Sequence, residues 1–218
     1  MAQAIFNELY SSGESSSLGE YLCDIESGSR SRGGAVLEGI PSIGAENIER
    51  FGMYDYSKEK FISHEFFHRL QRGIVKSGDV LLYKDGAYTG KASMALDGFP
   101  HKQCAVNEHV FILRANCKMP SQYFLYLLLR LDENREKLFT MASSKAAQPG
   151  LNQSEVKALP ILIPSSEQIA TFNNEIEPMM KQIARNALEN RHLAALRDTL
   201  LPKLMSGELS VTDLYDAK

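Results

Sequence analysis

Between Pro164 and Gly207 the sequence keeps a helical pattern that no glycine interrupts. Ser165 with Gln168 forms a capping box that opens it, Pro178 is expected to kink it, and Gly207 is placed to close it. Written in heptads, one set of positions holds Ile169, Ile176, Ile183, Asn190, Arg197 and Leu204. The other holds Phe172, Met179, Asn186, Leu193 and Leu200. Eight of these eleven residues are apolar, which is the seam of a coiled coil and not the broader stripe of a globular helix. A helix of roughly 40 residues is about 60 Å long. Such a rod cannot bury its seam against itself and requires a second helix, from another copy or another protein. Ile169, Phe172, Ile176, Ile183, Leu193, Leu200 and Leu204 are therefore the expected helix interface.

The 218 residues leave room for one substantial domain ahead of this rod. Apolar content is 44% and charged content 23%, ordinary for a globular chain. No run of about 18 apolar residues marks a membrane span. Met1 to Tyr10 lacks the basic start and apolar core of a signal peptide. Cys23, Cys104 and Cys117 are odd in number and widely spaced, which suits free thiols in a reducing cytoplasm. Net charge is −3, with 17 Lys+Arg against 18 Asp+Glu before residue 151 and 7 against 9 after it. No basic half is concealed, which argues against strong, independent nucleic-acid binding. A local basic face, or a subunit whose partners supply most phosphate contacts, remains compatible with that balance.

The pattern predicts a mixed α/β (α+β), strand-rich head. Residues 1–17 read as a short helix and a serine-rich linker, 18–163 as the head, and 164–218 as the rod with its tail. Short apolar runs at Gly39–Ile48, Asp79–Lys84, Lys91–Leu96 and His109–Arg114 are of strand type. Ser63–Arg72 reads as a short helix, Tyr123–Leu131 as the buried face of another, and Glu133–Ala142 as a third. Asn152 with Glu155 caps a short helix to Ala158, and Leu159–Ile163 is a last strand.

His64-Glu65-Phe66-Phe67-His68 matches HExxH, which on a helix offers two imidazoles to zinc and a glutamate as general base. Taken alone it would mark a zinc hydrolase. Its helix is short, no third ligand is marked by spacing, and the phenylalanines serve equally well as a buried face. His101, Cys104, His109 and Cys117 match no common zinc spacing. Gly86-Ala-Tyr-Thr-Gly-Lys91 is one residue short of a phosphate loop, with Ala92 where Ser or Thr would bind magnesium, and reads as a strand-joining turn. No nucleophile elbow, dinucleotide fingerprint or methyltransferase cofactor loop is present. The chain reads as non-catalytic, with no metal and no cofactor of its own.

What remains are polar loops suited to recognition. Arg30 and Arg32 lie in SGSRSRGG, Lys84, Tyr88 and Lys91 in YKDGAYTGK, and Lys102 and Gln103 on a further turn. These residue types contact base edges or hold phosphates, and they are the candidate DNA contacts. A coiled-coil adaptor with no DNA role is the rival reading.

Five segments in order then resemble the specificity (S) subunit of type I restriction–modification systems. They are Gly39-Ile-Pro-Ser-Ile-Gly-Ala-Glu-Asn-Ile48, Lys76-Ser-Gly-Asp-Val-Leu-Leu-Tyr-Lys-Asp-Gly-Ala-Tyr-Thr-Gly-Lys91, Ala105-Val-Asn-Glu-His-Val-Phe-Ile-Leu-Arg114, Leu159-Pro-Ile-Leu-Ile-Pro164 with Glu167-Gln168, and Leu200-Leu-Pro-Lys-Leu-Met-Ser-Gly-Glu-Leu209. That family's usual subunit has two target-recognition domains and two conserved helices, and this chain has one of each. The resemblance implies a half-subunit that reads half of a bipartite double-stranded DNA site. It implies antiparallel pairing with a second copy or another half. It further implies adenine-N6 methyltransferase partners, which use S-adenosylmethionine, and a restriction motor–nuclease subunit.

Overall fold

Val80–Tyr83 (β5) and Val110–Ala115 (β8) form the centre of a four-stranded antiparallel sheet, flanked by Leu22–Ser27 (β2) and Ala92–Met94 (β6) in the order β2-β8-β5-β6. Alternate residues of the central strands feed two different cores, because successive strand side chains point to opposite faces. Val80, Leu82, Phe111 and Leu113 enter the main core, while Leu81, Val110 and Ile112 pack with Ile43, Ile48, Cys104 and Val106. Burial on both faces explains why these strands read as continuous apolar runs. This computed structural model describes residues 1–11, 13–31, 33–144 and 150–210.

Against one face lies a small sheet of Ile40–Ile43 (β3), Phe61–Ile62 (β4) and Ala105–Val106 (β7), in the order β4-β3-β7. A short helix follows β4, His64–Arg69 (α2), capped by the Ser63 hydroxyl accepting from the Phe66 N–H. Its Phe67 is buried with Ile40, Ile62 and Ala105. Against the other face lies Gln122–Leu129 (α3), in which every residue from Tyr123 to Leu129 is buried. A helix apolar all round belongs inside a protein. Asp132–Ser143 (α4) and Gln153–Lys157 (α5) follow, the latter with the expected Asn152–Glu155 capping box.

Two expectations are corrected at the termini. The serine-rich segment before residue 18 is not a linker: Glu14–Ser17 (β1) pairs antiparallel with Pro160–Ile163 (β9). Main-chain hydrogen bonds make this ladder, so it needs no apolar alternation and left no pattern to read. Ahead of it, Ala2–Tyr10 (α1) buries Phe6 completely, its ring 4.9 Å from Phe124 and 6.1 Å from Phe172. The first 17 residues thus belong to the head.

The second correction concerns the long helix. Ser166–Met205 (α6) is continuous through Pro178 and Pro202, opens with the expected Ser165–Gln168 capping box, and is followed by Gly207 at φ +75°. Its first half is not a free seam. Ile169, Phe172, Ile176, Met180, Ala184 and Ala187 are buried against the chain's own α1 and α3. These positions average the 3.6-residue turn of a straight helix, which keeps one face against a globular core. Ile169, Phe172 and Ile176 therefore serve the head and are not available to a second helix. Ile183, Leu193, Leu196, Leu200, Leu201 and Leu204 remain exposed. Among the described residues no helix is long and apolar enough to cross a membrane.

Candidate nucleic-acid interface

Strand order gathers the polar loops at one end of the four-stranded sheet. β2 ends there at Ser27, β8 begins at Val110, β5 ends at Tyr83 and β6 begins at Ala92. Arg30, Glu108, His109, Lys84, Asp85, Tyr88 and Lys91 consequently share one edge of the head. The expected turn joins β5 to β6, with Gly90 at φ +86° and backbone bonds between Tyr83 and both Gly90 and Lys91. His109 Nδ1 lies 2.8 Å from Asp85, and Arg30 Nε 3.7 Å from Glu108. Lys84 sits 5.1 Å over the Phe111 ring and 4.0 Å from Asp85. Lys91 donates to Glu49 at 3.2 Å and lies 4.5 Å over the Tyr88 ring.

These contacts rank the candidate cations. The Lys84 and Lys91 side chains are only 22% and 26% exposed, each held between a carboxylate and an aromatic face. Arg30, at 84%, is far more accessible. Its pair with Glu108 is an exposed ion pair, worth about 0–1 kcal/mol, and is readily exchanged for a phosphate.

Arg30 also forms one wall of a groove of about 670 Å³ that no sequence motif marks. Facing it are Ser63, Phe66 and Arg69 of the α2 segment, and Leu70, Gln71 and Arg72 beyond it. Among the described residues, three guanidiniums and several hydroxyls line the groove, and no carboxylate does. Two glycines let the segments that carry its walls approach each other. A Cβ on Gly28 would collide with the backbone carbonyls of Val106 and Asn107, and one on Gly73 (φ +79°) would lie 2.9 Å from the Gly28 Cα. Only unsubstituted backbone lets the Ser27–Gly34 and Arg69–Gly73 segments meet. A second groove of about 390 Å³ on the other side of the Arg30 loop adds Lys60, which donates to Glu46 at 2.6 Å.

Below these segments is a part-buried ion cluster. Arg114 donates to both Asp79 oxygens, at 2.6 and 2.7 Å, and to Glu26, whose other oxygen accepts from the Gly73 N–H at 2.6 Å. Burial pushes the Glu26 carboxyl up, but the Gly73 N–H and Arg114 outweigh it and hold the group below its usual value. The Arg114 guanidinium is pushed up chiefly by its hydrogen bonds to Asp79. The cluster fixes Gly73, and with it one wall of the groove.

Other expected residues fall elsewhere. Lys102 and Gln103 are exposed, but on the turn leaving the opposite end of β6, where neighbouring His101 contacts α6. The geometry does not bring them to the groove. Arg32 lies outside the described residues. His64, Glu65 and His68 are exposed on a six-residue helix, and Glu65 is 3.4 Å from Arg69. His101, Cys104, His109 and Cys117 are dispersed, His101 to Glu59, His109 to Asp85, and Cys117 to the far end of the sheet. Among the described residues no group of three His, Cys, Asp or Glu is placed to hold a metal ion.

The groove residues that sequence reasoning missed are Lys60, Arg69, Gln71 and Arg72. The signal for the last three was the basic run His68-Arg-Leu-Gln-Arg72, overshadowed by the HExxH spacing that shares its His68.

Residues 37–197 match the family model described as the type I restriction modification DNA specificity domain. The chain is 35% identical over 86 residues to the specificity subunit of the type I restriction enzyme HindI of Haemophilus influenzae, covering 39% of this chain and 19% of that protein. It is 31% identical over 115 residues to the MjaIX specificity subunit of Methanocaldococcus jannaschii, covering 53% and 26%. Among solved structures, the HsdS subunit from Thermoanaerobacter tengcongensis superposes with a TM-score of 0.53 at 19% identity, over 95% of this chain and 50% of that one. The type I restriction–modification S subunit from M. genitalium gives 0.55 at 14% identity, over 93% and 52%. These two likenesses concern the fold, and this chain spans about half of each solved chain.

Proposed function

The chain belongs to the family of type I restriction–modification DNA specificity domains, and from that premise we propose that it is the non-catalytic, sequence-reading part of such an enzyme. The head reads half of a bipartite double-stranded DNA site. Arg30, Arg69 and Arg72 hold phosphates or guanine edges, and Gln71 meets an adenine edge, the pairings that their donor geometry favours. Lys84, Tyr88 and Lys91 border the same surface from the adjacent turn.

The exposed end of α6 pairs with the helix of a second copy or of another half. Two identical heads related by a twofold axis then read inverted, identical half-sites. The pair works in the cytoplasm and recruits adenine-N6 methyltransferase subunits, which bind S-adenosylmethionine, and a restriction motor–nuclease subunit. Partners that close around the duplex supply positive surface that this chain lacks, which reconciles DNA recognition with a net charge of −3.

The observation that carries this reading is a family match running from residue 37 to 197, which takes in the Ser63–Arg72 wall of the groove and the buried half of the long helix. To test it, the purified chain is mixed with a cognate type I methyltransferase subunit and the treated DNA is sequenced for N6-methyladenine. A gapped, palindromic methylated motif that vanishes without this chain is expected. A stable complex that methylates nothing would contradict pairing of identical halves.

A further inference from the structure

One turn beyond its buried face, α6 meets the head a second time, through Arg191. The guanidinium lies 4.2 Å over the Tyr56 ring. One of its nitrogens is 3.5 Å from the Pro100 carbonyl and 3.4 Å from His101 Nδ1. The Tyr56 hydroxyl donates to the same carbonyl at 3.3 Å. The other nitrogen of His101 contacts the Glu59 carboxylate, and both side chains are about one-tenth exposed. Arginine only donates, so the tautomer that satisfies both contacts has Nδ1 accepting and Nε2 carrying the proton that Glu59 accepts. A single chain of donors and acceptors thus runs from the long helix into the head.

Its far end leads to the groove. Glu59 precedes β4 by two residues, β4 runs into α2, and α2 ends at Arg69. The main core fixes α6 to α1 and α3, on the side of the four-stranded sheet away from the groove. The groove wall that carries Arg69 packs on the small sheet, and the Arg30 wall leaves β2. The β3–β4 connection meets the long helix through Phe51, buried in the main core with Met180 and Ala184, and through Gly52, over which the Ile183 side chain closes; Arg191 adds a polar tie further along.

We propose that Arg191 is a positioning residue, fixing the angle of the reading groove on the long helix and thereby the gap between half-sites that the protein accepts. This rests on the bipartite reading above. Adding one base pair moves a half-site by about 3.4 Å and turns it by about a tenth of a helical turn. A clamp that allows the groove to swing on that scale would accept neighbouring gaps.

The test uses the complex of the full chain with its methyltransferase subunit. Duplexes carry the same half-sites with gaps varied by single base pairs, and methylation is measured for each. The wild type should peak at one gap. In Arg191→Ala the same half-site bases should be read, but discrimination between the best gap and its neighbours should fall about fivefold. Arg191→Lys keeps the charge without the planar stack and should lie between. Tyr56→Leu removes the ring face and should broaden the profile as Arg191→Ala does, which keeps the test decisive if one variant folds poorly. Gap profiles of folded Arg191→Ala and Tyr56→Leu that superpose on the wild type would overturn the proposal, whatever their melting temperatures. A wild type with no gapped motif at all would instead remove the bipartite reading, and the proposal with it.

Discussion

Arg114 joins three segments distant in sequence, the end of β2, the turn before β5 and β8 itself, through Glu26 and Asp79. The Asp79 side chain is 3% exposed, so it depends on this partner. Removing one member of a buried pair leaves an uncompensated charge and costs about 3–5 kcal/mol. Arg114→Ala should show a loss of that order in urea unfolding, and a change below about 0.5 kcal/mol would contradict the cluster's structural role. Acid should act in two steps. His101 is held below its ordinary value of 6.5 by burial, reinforced by Arg191 and opposed by Glu59. The unfolded chain therefore takes up a proton near 6.5 while the folded one does not, and stability falls as pH drops below that value. Glu26, held below its ordinary 4.5, contributes stability above that pH that is lost as pH falls through its lower folded value. Urea midpoints measured from about pH 7.5 downward should decline in both windows. His101→Gln should flatten the upper window alone.

The long helix divides its labour along its length. Phe172 is 3% exposed between Phe6 and Phe124, so Phe172→Ala should cost about 3–5 kcal/mol of head stability. Leu193, Leu200 and Leu204 are 38–53% exposed, and replacing all three with Ser should abolish self-association in light scattering. It should leave the melting of the head nearly unchanged, since exposed sites usually shift stability by under about 0.5 kcal/mol. A triple variant that still pairs would place the interface elsewhere. The heptad pattern marks this helix and its caps but assigns its first half to the wrong partner. Ile169, Phe172 and Ile176 fit a 3.5-residue seam and a 3.6-residue stripe equally well over two turns. Only Met180, Ala184 and Ala187 separate the two, and small alanines are weak signals of burial. The central strands were legible because both of their faces are buried. β1 was not, because serines paired through their backbone carry no apolar period.

At the scale of the molecule, recognition depends on segments that sequence order keeps apart. Arg30 was legible as a loop arginine, but its groove exists because Gly28 and Gly73 touch across 45 residues of chain. No local pattern encodes that approach, so Arg69, Gln71 and Arg72 went unread. Each phosphate that the protein no longer neutralises should reduce the slope of log K against log salt by about 0.9. Replacing Arg30, Arg69 and Arg72 with Ala should flatten it by up to roughly 3, measured on the methyltransferase complex. Lys102→Ala, at the other end of the sheet, should leave the slope alone. Paired heads reading a split site are best tested by selecting bound duplexes from a random library with that complex. Two inverted copies of one short sequence at a fixed gap are predicted, absent when the three arginines are replaced. A single uninterrupted sequence, or the same motif selected without this chain, would contradict that reading.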